Sequence, residues 1–134
     1  MDFGIFLFHF YSMSFGEWEW IFLGHNQLFH LPYFFIFSHL PENIAPYFLL
    51  IMQGFFLLLP AYLIRLSCGK TVGFAYLLYF PLWFNLLFDF HLDHLSVLFL
   101  TLFFLSIKSK RFALATFSAI LLALVKEPFA LQTA

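Results

Sequence analysis

The chain has 134 residues, of which 63% are hydrophobic and 10% are charged, and its formal net charge is -1. Soluble domains average about 45–50% apolar and about 25% charged residues, so this composition indicates a membrane protein. Its basic residues form no stripe that could follow a phosphate backbone, which argues against a nucleic-acid partner. The single cysteine, Cys68, excludes an intrachain disulfide and a CxxC thiolate site.

The charged residues divide into two groups that fit opposite sides of a membrane. All but one of the basic residues fall in two short loops: Arg65, Lys70, Lys108, Lys110 and Arg111. The acidic and histidine residues can all be placed on the other side: Asp2, Glu17, Glu19, Glu42, Asp89, Asp93, Glu127, His9, His25, His30, His39, His91 and His94. Short basic loops stay cytoplasmic, so the acidic and histidine side is predicted to be extracytoplasmic. Only Lys126 breaks the division.

The first 43 residues are predicted to lie at the outer face without crossing the membrane. Residues 1–20 are typical of a short interfacial helix, because Trp18 and Trp20 alternate with glutamates and tryptophan prefers the headgroup level. Residues 21–43 contain a glycine, two prolines and an apolar run that is too short to cross. A re-entrant or surface-lying segment is therefore expected there.

Residues 44–134 predict a transmembrane bundle with about four membrane-embedded helices, so the fold class is an all-α polytopic membrane protein. The apolar runs cover residues 44–66, 71–88, 95–107 and 112–125. The last two runs would make only roughly 20 Å of helix against a hydrocarbon core of about 30 Å. Polar residues at their outer ends are therefore expected to line a submerged, watered cavity. Alternatively, the two helices form a hairpin that does not fully span, or the bilayer thins locally.

The densest polar cluster is the segment Asp-Phe-His-Leu-Asp-His at residues 89–94. On a helix, Asp89 and Asp93 share one face, and His91 and His94 are neighbours on an adjoining face. Two carboxylates one turn apart suit a divalent cation such as Mg²⁺ or Mn²⁺ that bridges to phosphate oxygens. Either histidine could carry a proton or bind a phosphate. The alternative is that an aspartate caps the following helix.

A second polar pair, Lys126 and Glu127, precedes a proline that ends the last apolar run. Lys126 is expected to pair with Asp89 or Asp93 or to bind a phosphate. The alternative is a lysine that extends to the headgroups beside a solvated glutamate. The sequence has no HExxH, GxSxG, P-loop or GxGxxG motif, so protease, serine-hydrolase and nucleotide-binding functions have no support.

These motifs resemble a known family. The segment from Asp89 to Asp93, followed by an apolar helix, a basic break and Leu-Val-Lys-Glu127, resembles the DFHxD and KE(D) motifs of the DUF2079 group of bacterial and archaeal membrane proteins. That group is thought to belong with the GT-C glycosyltransferases. Asp2-Phe-Gly-Ile-Phe is similar to its D-L-G-I-F opening. Three further residues fall roughly where the family has a histidine–proline segment and a helix glutamine: His25, Pro32 and Gln53.

The resemblance covers nearly the whole chain and matches an amino-terminal portion of a full member, so a fragment is expected. It implies a glycosyltransferase of the bacterial or archaeal cell membrane, with an extracytoplasmic site and a polyprenyl-phosphate sugar as donor. By position, Asp2 would act as base or metal contact. The implied catalytic residues are Asp2, Asp89 and Asp93. The implied substrate-binding residues are His25, His91, His94, Lys126 and Glu127.

A non-enzymatic function is the alternative to glycosyl transfer. In a transporter module, the carboxylates and imidazoles of the acidic and histidine side would relay protons or bind a cation. Such a function predicts a polar path that reaches both faces of the membrane. An inactive truncated product would need no such path.

Overall fold

The computed structural model describes residues 2–17, 29–88 and 93–125. Within these ranges every regular element is an α-helix, which confirms the all-α prediction. The helices, in chain order, are α1 (Asp2–Ser14), α2 (His30–Phe37), α3 (Ala45–Cys68), α4 (Lys70–Leu77), α5 (Phe80–Phe88), α6 (His94–Lys108) and α7 (Phe112–Val125). The bounds of α7 match the apolar run predicted at 112–125, and α3 lies within two residues of the run predicted at 44–66.

Among the helices described, only α3 is long and apolar enough to cross a membrane. Its 24 residues would extend about 36 Å, more than the hydrocarbon core of about 30 Å. Only 28% of its most apolar stretch is buried, so most of that stretch is exposed on the surface of the bundle. Helices α6 and α7 have 15 and 14 residues. At 1.5 Å per residue they extend only about 21–23 Å, which is shorter than that core. The structure thus supports one crossing, and the four-helix arrangement stays a prediction.

Helix α3 is the central element of the described bundle. Helices α4 and α6 pack along it, and α7 packs against α6. One apolar cluster joins helices from distant parts of the chain: Phe10, Met13, Tyr33, Phe37, Ala45, Leu49, Leu95, Leu98, Phe99, Leu122 and Val125. Helices α1 and α2 therefore share a core with the long helix.

The continuous crossing predicted at 71–88 is divided in the structure. Helix α4 ends at Leu77 and α5 begins at Phe80. Pro81 explains the break, because it has no amide hydrogen for the Leu77 carbonyl and its ring would clash with that carbonyl in a continuous helix. The indole Nε1 of Trp83 donates a hydrogen bond to the Leu77 oxygen instead. The apolar run at 71–88 therefore forms two short helices separated just before this proline, and its crossing of the membrane stays a prediction.

A second proline, Pro60, is buried inside α3. It also lacks the amide hydrogen that a helix interior requires, so the preceding turn loses a backbone bond. The Tyr76 hydroxyl of α4 donates to the Leu57 carbonyl of that turn at 2.9 Å. The carbonyl that loses its helical partner is that of Phe56, one residue earlier, so the Tyr76 bond does not replace the lost one. It ties α4 to the same turn of α3. Helix α4 thus supports α3 near its proline.

Helices α3 and α4 form a tight antiparallel pair that depends on two glycines. Gly69 alone joins them, with φ 97° and ψ 166°, a backbone region that is essentially restricted to glycine. An ideal β-carbon at Gly73 would lie 2.8 Å from the Arg65 Cβ and 2.9 Å from the Ala61 carbonyl oxygen. The two helices therefore approach each other too closely for any larger residue at position 73.

The two basic loops lie at the same end of the bundle. The Lys108 ammonium group, at the end of α6, is 3.1 Å from the Ser67 carbonyl oxygen and 3.1 Å from the Cys68 sulfur, both in the last turn of α3. The loop between α6 and α7 is therefore beside the connection between α3 and α4. This is the arrangement that the charge division requires, while the side of the membrane stays a prediction.

Helices α1 and α6 end in the same backbone motif with different residues. Gly16 follows α1 at φ 91°, and Lys110 follows α6 at φ 57°. At both ends, two amides beyond the helix donate back to carbonyls of its last turn, as in a Schellman motif. The left-handed conformation suits Gly16, but it strains Lys110 because a β-carbon crowds the following carbonyl.

We therefore expect Lys110→Gly to raise the free energy of unfolding by about 1 kcal/mol, because it relieves that crowding. Gly16→Ala, the reverse change after α1, should lower it by a similar amount. Denaturant unfolding in detergent measures both effects. Lys110→Ala keeps the β-carbon and controls for the lost charge. A Lys110→Gly variant no more stable than Lys110→Ala would contradict this account of the helix end.

Candidate functional site

His94, the first residue of α6, is the most fully buried polar side chain among those described, with 0% exposure. Its Nε2 lies 2.7 Å from the Tyr33 hydroxyl of α2. The Phe56 ring of α3 stacks against the imidazole, with the ring centroids 6.0 Å apart and an interplanar angle of 21°. Three helices therefore contribute one ring each to a buried polar contact, the Tyr33–His94 pair.

The depth of the Tyr33–His94 pair follows from its position along α3. Phe56 is near the middle of α3, about 17 Å from either end at 1.5 Å per residue. The other end of α6 contacts the last turn of α3 through Lys108. Helix α6 thus runs parallel to the second half of α3, from its middle to the basic end. If α3 crosses the bilayer, the pair lies near the midplane.

A further polar side chain is buried on α3 near the Tyr33–His94 pair. Gln53 of α3, one turn before Phe56, is 1% exposed. A cavity of about 230 Å³ adjoins Tyr33 and Phe56, and its other walls are apolar. Burial raises the pKa of the Tyr33 hydroxyl, because a phenolate would lose its hydration there. The tyrosine therefore stays neutral, beside a space suited to a hydrocarbon chain.

Asp93 immediately precedes α6 and is half-buried. Its side chain makes no capping hydrogen bond to the helix. Its backbone carbonyl instead accepts hydrogen bonds from the Ser96 amide, at 3.0 Å, and from the Ser96 hydroxyl. The alternative role considered for Asp93, a side-chain cap of α6, is therefore not the one it has in the structure.

Most of the other predicted site residues lie outside the described ranges. His25, Asp89, His91, Lys126 and Glu127 fall in residues 18–28, 89–92 and 126–134. Asp2 is the first residue of α1, but the structure describes only its backbone and not its side chain. The roles given to these residues stay predictions. The structure places Asp93 and His94 next to each other at the start of α6.

Of the two residues in the predicted cation site, the structure describes Asp93 but not Asp89. In residues 2–17, 29–88 and 93–125, no three His, Cys, Asp or Glu side chains come together as metal ligands. Since Asp89 lies outside those ranges, the site stays a prediction. A carboxylate such as Asp93 is a ligand type that Mg²⁺ and Mn²⁺ prefer.

Tyr33 is the site residue with the weakest sequence signal. It is one aromatic residue among several between Phe29 and Phe37, and nothing in its spacing connects it with His94, 61 residues away. Pro32 offers the one local signal, since proline favours the first turn of a helix.

The fold and site define an all-helical protein, over the residues described, with one membrane-length helix and a buried polar pair midway along it. Comparison with protein-family models, curated proteins and solved structures finds no match to this chain. The functional argument therefore depends on the residues themselves.

Proposed function

We propose that the chain belongs to a membrane glycosyltransferase of the GT-C type, which transfers a sugar from a lipid-phosphate donor at the extracytoplasmic face. The main support is the position of Asp93 and His94 at the start of α6, level with the middle of α3 and away from the basic loops. An apolar cavity adjoins their neighbours, since Tyr33, Phe56 and Leu95 line it while Asp93 and His94 do not. A carboxylate near an apolar cavity suits a substrate with a polar reacting end and a hydrocarbon chain.

In the proposed reaction, a carboxylate among Asp2, Asp89 and Asp93 accepts the proton of the acceptor hydroxyl as general base. The acceptor oxygen then bonds to the anomeric carbon of the sugar. The bond between that carbon and the phosphate oxygen breaks, and the lipid phosphate leaves with its electron pair. Lys126, or a divalent cation held by Asp89 and Asp93, would offset the charge on the leaving phosphate.

His94 has a positioning role in this proposal. Its ring is fully buried, bonded to Tyr33 and stacked on Phe56. An imidazole held in this way fixes the start of α6 and thereby the backbone of Asp93 next to it. Direct contact with the sugar or phosphate is assigned to the other residues predicted to bind substrate: His25, His91, Lys126 and Glu127.

A proton- or cation-coupled transporter is the second candidate function. The buried Tyr33–His94 pair favours it, because histidine and tyrosine can both take part in proton relays. A transport path would have to continue toward the basic end. Ser118, buried on α7 on the way to that end, donates its hydroxyl hydrogen to the Leu114 carbonyl of its own helix. Ser106 of α6, nearer that end, is also buried. Neither serine hydroxyl titrates near neutral pH, so neither can carry a charge along the path, and we rank transport second.

Sugar transfer from polyprenyl-phosphate sugars by the full chain in liposomes tests the proposal. Asp93→Asn should lower the rate by about 100-fold or more, as expected for loss of a general base. Glu42→Gln, which neutralises an exposed carboxylate just before α3, should leave the rate unchanged. Unchanged transfer after both Asp2→Asn and Asp93→Asn would reject the site assignment. Proton flux without sugar transfer would select the transporter.

A further inference from the structure

A groove of about 780 Å³ opens between α3 and α4 at the basic end of the bundle. Its mouth carries the cations of Arg65 and Lys70, both of them exposed, and the hydroxyl of Thr71. Its walls include Leu58, Phe74 and Leu77. Among the described residues its lining includes no carboxylate, so the charge they contribute is positive. The groove opens at the basic end of the bundle, whereas the proposed sugar-transfer site is level with the middle of α3.

The close approach of α3 and α4 positions the cations of this groove. A β-carbon at Gly73 would be 2.8 Å from the Arg65 Cβ, so the Arg65 side chain begins in contact with the α4 backbone. Lys70 follows Gly69 directly and begins α4. The one-residue connection therefore holds a cation from each helix at the same mouth, where both can reach one anion.

The apolar walls run along the helices from this mouth toward the middle of α3. Leu58 precedes Arg65 by two helical turns, about 10 Å at 1.5 Å per residue. Leu77 lies at a similar distance from Lys70 on α4. Leu58 is 41% exposed and Phe74 is 62% exposed, so these walls are open to an apolar ligand. The groove is thus cationic at the membrane surface and apolar where hydrocarbon would be.

We propose that this groove binds an anionic phospholipid, with the phosphate between Arg65 and Lys70 and an acyl chain along Leu58, Phe74 and Leu77. The charge selects an anionic headgroup, since basic pockets between helices on the cytoplasmic side attract such lipids. The apolar walls select a lipid over a soluble phosphate, because a chain that covers them is removed from water. The bound lipid would join α3 to α4 at the end where a single glycine connects them.

Native mass spectrometry of the full chain tests this proposal, with phosphatidylglycerol and phosphatidylcholine of identical acyl chains as probes. Wild-type protein should retain phosphatidylglycerol preferentially. The double variant Arg65→Gln, Lys70→Gln should bind it about 30-fold more weakly, the effect expected for two basic residues at a membrane surface. Arg65→Lys, which keeps the charge, should retain most of the binding.

A double variant in the neighbouring basic loop, Lys110→Gln with Arg111→Gln, is the matched control. It removes the same charge at the same end of the bundle, but neither residue lines the groove. Its phosphatidylglycerol binding should equal that of wild type. An equal loss in this control, equal retention of phosphatidylcholine, or equally tight binding of glycerophosphoglycerol without acyl chains would overturn the proposal. Circular dichroism of each variant shows whether the helices are intact.

Discussion

Replacing His94 with alanine is expected to lower the free energy of unfolding by about 3 kcal/mol or more, through a cavity and a lost hydrogen bond. The side chain is 0% exposed, and its Nε2 lies 2.7 Å from the Tyr33 hydroxyl. It also stacks on Phe56, so three helices lose a common contact. Denaturant unfolding in detergent micelles, followed by circular dichroism, measures the change.

A double-mutant cycle separates the Tyr33–His94 hydrogen bond from the packing of the ring. Tyr33→Phe removes only the hydroxyl and should cost about 1–2 kcal/mol. Combined with His94→Ala it should cost less than the sum of the single effects, since the bond can be lost only once. The control is His39→Ala at an exposed histidine, whose Nδ1 lies 2.7 Å from the Phe35 carbonyl oxygen in an exposed contact and which should stay within about 1 kcal/mol of wild type. A His94→Ala variant as stable as His39→Ala would show that the pair does not hold α6.

Replacing Gly73 with alanine is expected to lower the free energy of unfolding by about 2 kcal/mol, because one added methyl group overpacks the contact between α3 and α4. The new β-carbon would lie 2.8 Å from the Arg65 Cβ and 2.9 Å from a backbone oxygen, neither of which can move without shifting a helix. Thermal unfolding in detergent, with tryptophan fluorescence as the signal, measures the loss.

Gly54→Ala is the matched control, since Gly54 is also inside a helix. Its ideal β-carbon would meet only the Leu86 Cδ1 at 3.5 Å, an ordinary contact. Alanine has the higher helix propensity by about 0.8–1.0 kcal/mol at both positions. The control should therefore be neutral or stabilising, and the difference between the variants reports the helix contact. Equal effects would contradict the close approach at Gly73.

The sequence predicts best what local hydropathy determines. The bounds of α3 and α7 follow from the lengths of their apolar runs, and the basic loops mark where α3 and α6 end. The contact between Lys108 and the last turn of α3 agrees with the placement of those loops at one end of the bundle. Such features need no knowledge of partners, because the hydropathy and charge that mark them are properties of each segment separately.

The break between α4 and α5 had a local signal that hydropathy alone does not measure. Hydropathy is continuous over residues 71–88, whereas Pro81 removes one amide hydrogen at a specific turn. The break is completed by Trp83, whose indole reaches the freed Leu77 carbonyl. A proline within an apolar run can bend a helix or end it, and the available side-chain donors help to decide the outcome.

The Tyr33–His94 pair could not be read from the sequence because its members meet only through the packing of α2 and α6 on α3. The polar cluster at residues 89–94 predicts that His94 belongs to a functional site, but no spacing rule relates His94 to Tyr33. A hydrogen bond between helices that are distant in sequence depends on how those helices pack. Their packing depends on all the side chains of the core together, so local sequence does not predict it.

The central claim is that α3 crosses the membrane with the basic loops in the cytoplasm, so that the site containing Asp93 is reached from the outside. Cysteine labelling in intact cells tests this claim most directly. In a Cys68→Ser background, Ser38→Cys marks the exposed turn before α3, and Ser109→Cys marks the exposed basic loop. A membrane-impermeant maleimide should label Ser38→Cys in intact cells and Ser109→Cys only after permeabilisation. Labelling of Ser109→Cys in intact cells, with Ser38→Cys protected, would contradict the claim.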